Sequence, residues 1–117
     1  MRRVARDLFE RTIQKTLDEL PEQFRERLDN VEIIVESVWQ EDPELYGLYE
    51  GVPLPERMEG SLDMRGPDRV YLFRRPLVED FGSDPGTLAH EIRVTLLHEL
   101  AHHFGIDDDR LTELGWA

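Results

Sequence analysis

The residues best equipped for chemistry are His98, Glu99 and His102, which stand in His98-Glu99-Leu100-Ala101-His102, an H-E-x-x-H sequence. On a helix turning about 100° per residue, four residues make about 400°, so the two imidazoles project from one face, about 40° apart and one turn above the other. Both can then reach a single metal ion from a rigid backbone. Glu99 falls about 60° from His102, where its carboxylate meets a water bound to that ion without being a ligand itself. Leu96, Leu97, Leu100 and Phe104 fall on the opposite face, at about 160–260°. One side of this helix suits a core and the other a cleft.

Zinc held by two histidines calls for a third protein ligand, with the fourth position left to water. Asp108 stands six residues after His102, and Gly105 between them can take the positive φ that lets the chain leave the helix and double back. Asp107 and Asp109 compete with Asp108 for that role, any of the three can instead cap a following helix, and Glu113 offers a glutamate alternative. An H-E-x-x-H match arises by chance in about one chain in a hundred of this size. Glycine and aspartate at fixed offsets make it rarer by a further factor of about 400. The extended pattern H-E-x-x-H-x-x-G-x-x-D is therefore the informative one.

Over residues 98–108 the sequence resembles the zincin metallopeptidases, specifically those with aspartate as third zinc ligand in the metzincin-like pattern, and among them the small bacterial zincin-like metallopeptidases of about this length. The resemblance implies Zn2+ held by His98, His102 and Asp108, with Glu99 as general base. It also implies a zincin-like α+β fold. Larger metzincins place a methionine turn beneath the metal, after the third ligand, whereas the methionines here are Met1, Met58 and Met64. The floor of such a site must come from Leu111, Leu114, Trp116 or elsewhere in the fold.

Other residues have plainer readings. His90 and His103 read as structural or solvent-facing, with assistance to an oxyanion as the sharper alternative for His103. Trp116 serves equally as core anchor or site residue. Arg93 falls in the middle of the apolar helix face and calls for a carboxylate partner. Acidic stretches at 41–44, 79–80 and 107–109 read first as a solvating surface, and second as a means of steering cationic peptides.

The elements that must position the motif follow from periodicity. Val4, Leu8, Ile13, Leu17, Leu20, Phe24 and Leu28 recur mostly at three or four, which predicts helix over most of residues 3–29, with a break at Pro21. Val31, Ile33 and Val35 alternate with Glu32 and Glu36 as a strand with one wet face. Residues 45–50 form a second strand candidate, running into the prolines of 52–55, and a loop rich in Glu, Arg, Gly and Pro reaches Asp68. Residues 70–73 are apolar on both faces and read as the third strand. Pro76 closes it, and Ser83 or Asp84 followed by Pro85 predicts the start of the motif helix, which Gly105 ends. Asp107 to Asp109 can cap a short last helix.

With 117 residues and 39% hydrophobic composition, the chain suits one domain, residues 1–117, whose core needs neither metal nor disulfide. The expected architecture is a long N-terminal helix and the motif helix packed on three or four strands, with the metal cleft between the motif helix and a sheet edge. Fourteen Lys and Arg against 26 Asp and Glu give a net charge of −12, which argues against nucleic acid and anionic membrane surfaces as partners. The absence of cysteine excludes thiol catalysis, disulfides and Cys-ligated zinc. The N-terminal residues lack the continuous apolar stretch of a signal peptide or membrane span, which makes the cytoplasm the default location. Together these readings predict a zinc metallopeptidase acting on peptides or proteins, with an extended substrate added as a strand along residues 70–73. The rival is a zincin-fold metal-binding or protein-interaction module without useful peptidase activity, since a chain this small has no second lobe to wall a cleft. Oligomeric state is left open by the sequence, a homodimer included.

Overall fold

A computed structural model describes residues 2–51 and 67–116, with only the backbone of residues 2–5 and of Asp108. The proline-rich stretch and loop read at 52–66 lie outside the described residues. Helix α1 spans Arg2–Glu19 and the short α2 spans Glu22–Arg25. Pro21, which cannot donate a backbone hydrogen bond, separates them at the predicted break. Strand β1 is Val31–Glu36, β2 is Gly47–Glu50 and β3 is Asp68–Phe73. Helix α3, Arg74–Phe81, follows β3 without a loop; α4, Pro85–Phe104, carries the motif; α5, Asp108–Leu114, closes the order. The result is an α+β fold whose mixed sheet has three strands among the described residues.

The sheet order is β1-β3-β2, with β1 parallel and β2 antiparallel to β3. Residues 70–73 therefore form the central strand, and their backbone is paired on both sides. This corrects the expectation that a substrate adds there: an apolar strand with both faces covered reads the same from sequence whether it is central or peripheral. Among the described residues, the strand beside α4 with one unpaired edge is β2.

Register explains which residues meet the motif helix. Ile33 pairs with Val70, Val35 with Leu72, Tyr49 with Val70 and Gly47 with Leu72, so these residues share the face that α4 covers. Asp68, paired with Val31, falls on that same face. Trp39 packs against Tyr71 and Phe73 on the other face, at ring-centroid distances of 5.8 and 6.0 Å. Helix α4 contacts α1, α3, β2 and β3, which makes it the centre of the molecule. Leu88, Ile92, Leu96, Leu97, Leu100, Ala101 and Phe104 are its buried apolar residues, matching the face read from the sequence.

The ends of α4 are set locally. Asp84 is the N-cap: its carboxylate accepts from the Thr87 backbone N–H at 2.9 Å and from the Thr87 hydroxyl at 2.8 Å. That bonding holds the Asp84 carboxyl below its usual range. Gly105 ends the helix with φ 71° and ψ 33°, a left-handed conformation that costs glycine little. Helix α3 was not legible, because Pro76 looked like a strand terminator. It sits in the first turn, where its missing N–H is not needed.

Candidate active site

Helix α4 presents Glu99 and His102 to the side where β2 runs, with His98 one turn before His102. His98 and His102 are exposed and Glu99 is half-buried. Four residues apart on a continuous helix, the two histidines have Cβ atoms about 5–6 Å from each other. Neither imidazole makes a hydrogen bond or ion pair among the described residues. Burial raises the Glu99 carboxyl above its ordinary value, opposed by the neighbouring His102 and His98.

Strand β2 comes unusually close. A Cβ placed on Gly47 would meet Thr95 Cγ2 at 2.7 Å, the Tyr71 carbonyl oxygen at 3.0 Å and Glu99 Cγ at 3.1 Å. Glycine at this position lets the edge strand lie against α4 beside Glu99. Two residues on, the Tyr49 ring lies nearly parallel to that of His102, with centroids 6.3 Å apart and 16° between planes.

His103, next in sequence, turns the other way. It is 1% exposed, with Nδ1 2.9 Å from Asp68 Oδ2 and Nε2 3.0 Å from the Arg27 carbonyl oxygen. That carbonyl can only accept, so Nε2 is the donor to it, and Nδ1 faces the Asp68 carboxyl. Tyr49 donates its hydroxyl to the same Asp68 oxygen at 2.7 Å. His103 is thus a buried structural residue tying α4 to β3, the plainer of its two readings, and His90 is solvent-facing. Sequence reading missed Tyr49 and Asp68. The signal was Gly47 and Gly51 flanking a three-residue apolar and acidic run, since glycines about a strand mark a close backbone approach.

Of the candidates for a third ligand, Asp108 is the first residue of α5, two residues beyond Ile106. Asp107 is the N-cap of that helix, its Oδ1 accepting from the Arg110 backbone N–H at 2.8 Å. Glu113 pairs with Arg110 at 3.1 Å on the exposed side of α5. Among the described residues, no three His, Asp or Glu side chains converge as a metal-holding group. Trp116 is a core anchor, its ring 5.2 Å from Phe24 and 6.5 Å from Phe104. Arg93 has the carboxylate partner its position called for, Glu19, at 4.0 Å.

Among the described residues, an unpaired sheet edge thus lies along a helix that bears two imidazoles without hydrogen bonds and a half-buried glutamate. The profile of the zincin-like metallopeptidases matches residues 24–116, and the chain belongs to that family. A search of curated proteins found no match. The family is one of metallopeptidases, so it implies zinc as the metal and peptides or proteins as substrates. The donor chemistry fits that metal: imidazole nitrogens that make no hydrogen bond among the described residues are of a type zinc takes. Among the described residues no helix is long and apolar enough to cross a membrane.

Proposed function

We propose that this chain is a zinc-dependent peptidase in which His98, His102 and Asp108 hold the metal and Glu99 is the general base. The observation that carries the reading is the half-buried Glu99 between two exposed imidazoles that, among the described residues, make no hydrogen bond, beside a strand, β2, whose outer edge is unpaired among those residues. When bound, zinc supplies a water of lowered pKa and polarises the substrate carbonyl. Glu99 takes the proton of the attacking water at its carboxylate and returns it to the leaving nitrogen as the amide bond breaks. A carboxylate raised by burial suits both tasks, because it is a stronger base going in and its proton goes to an amine of far higher pKa. The substrate main chain adds to the edge of β2, which would set the scissile carbonyl alongside Glu99.

Two measurements on the purified chain test this. Equimolar zinc should be retained at neutral pH and released in acid, as protons displace it from the imidazoles. Cleavage of an unfolded, dye-quenched protein should require zinc, and Glu99→Gln should lower it by about a hundredfold or more with little change in zinc affinity. Normal zinc binding with the same trace turnover in both proteins would leave a metal-binding module in place of a peptidase. Failure to bind zinc would remove the reading altogether.

A further inference from the structure

A helix restricts χ1 of a histidine to two common rotamers but leaves χ2 broad, so α4 alone does not fix the plane of the His102 imidazole. Ligating histidines usually have that plane fixed by a hydrogen bond from the second ring nitrogen, and among the described residues His102 has none. What it has is the ring of Tyr49, its centroid 6.3 Å away and its plane within 16° of parallel.

Tyr49 is in turn unable to rotate freely. Its hydroxyl donates to Asp68 Oδ2, which His103 Nδ1 also meets, and His103 Nε2 donates to the Arg27 carbonyl. Asp68 and His103 are 2% and 1% exposed, so releasing Tyr49 would strip a bond from a buried carboxyl. Gly51 makes room for this arrangement, because any Cβ there would run into the Asp68 carboxyl group. The contacts form a closed circuit. They leave α4 at His103, cross β3 at Asp68, pass to β2 at Tyr49 and return to α4 at the ring of His102, one residue from their start.

We propose that Tyr49 is a positioning residue of the zinc site: anchored through its hydroxyl to the buried Asp68–His103 pair, its ring holds the His102 imidazole in the plane from which it takes metal. The inference rests on His102 being a ligand, as proposed above. Its physical content is preorganisation, since a ring already restrained gives up less freedom when the ion binds.

The experiment is zinc titration of the apo protein against a chromophoric chelator, for wild type, Tyr49→Phe, Tyr49→Leu and a variant on α1, Leu17→Ala, whose side chain packs against the core. Urea unfolding of each apo protein accompanies it. Tyr49→Leu should weaken zinc about tenfold, the lower end of what the loss of a ligand-orienting group costs. Tyr49→Phe keeps the ring and loses the anchor, so its affinity should fall between those of wild type and Tyr49→Leu. Leu17→Ala should lose stability with no change in zinc affinity. Wild-type affinity in either Tyr49 variant, or a loss in Leu17→Ala matching that of Tyr49→Leu, overturns the proposal. Should Tyr49→Leu fail to fold, Tyr49→Phe alone decides it. A wild-type protein that takes up no zinc removes the ligand assignment first, and the role of Tyr49 with it.

Discussion

His102 and His103 are adjacent in sequence and chemically identical, and α4 delivers them to opposite surroundings. His103 enters the interior, where both ring nitrogens meet oxygen atoms and Asp68 is shared with Tyr49. His102 stays at the surface with its nitrogens unbonded among the described residues, as does His98 one turn earlier. An imidazole whose two nitrogens are already bonded has no lone pair to offer, while an exposed one on a rigid helix is available to a ligand. The contrast separates a histidine used for cohesion from one open to solvent, although sequence types them alike.

The comparison is broken most forcefully through stability. His103→Ala or Asp68→Ala breaks the buried Asp68–His103 pair, and should cost about 3–5 kcal/mol in urea unfolding of the apo protein. His98→Ala, at an exposed position, should stay within about 0.5 kcal/mol of wild type. Equal losses would mean that the two kinds of histidine had been wrongly divided.

The boundary between the two regions is tested at Gly47. Alanine there meets Thr95, Glu99 and a backbone carbonyl that cannot move without the sheet, so Gly47→Ala should cost about 1–3 kcal/mol. Differential scanning calorimetry would read the loss. An alanine variant as stable as wild type would show that β2 is free to lift away from α4.

Next come the carboxylates after Gly105. Asp107 caps α5, so Asp107→Ala should lower stability by about 1 kcal/mol while leaving zinc affinity close to normal. Asp108→Ala should do the reverse, weakening zinc with little effect on the apo protein. If competition titration shows Glu113→Ala to have the larger effect on zinc, the third ligand is a glutamate and the aspartate assignment fails.

The smallest expected effect concerns Glu99 in the apo protein. Burial raises its folded-state pKa above the ordinary value of 4.5, so the folded form holds its proton at pH values where the unfolded chain has released it. The stability this gives is fully present below the unfolded value and is lost as pH rises through the folded one. Glu99→Gln is neutral throughout. It should therefore unfold at a higher temperature than wild type at pH 7, with the gap closing below about pH 4. A gap that persists in acid would trace the stabilisation to packing instead of charge.

Much of this molecule was written locally. The spacing of His98, Glu99 and His102 put them on one helical face because 3.6 residues make a turn, and the caps at Asp84 and Gly105 bounded that helix because backbone groups at its ends need partners and a left-handed exit. The break at Pro21 and the strand over Val31–Glu36 follow from equally short-range rules. Sequence could not say that residues 70–73 are the middle of the sheet, since strand order depends on pairings between segments tens of residues apart and an apolar strand looks the same in the centre or at an edge. Nor could it show that His103 would find Asp68, 35 positions away, or that Tyr49 would return from β2 to face His102. Those contacts exist only once α4 has been laid across β3 and β2. Periodicity determines which way a side chain points, whereas what it then meets is decided by the packing of the elements it points toward.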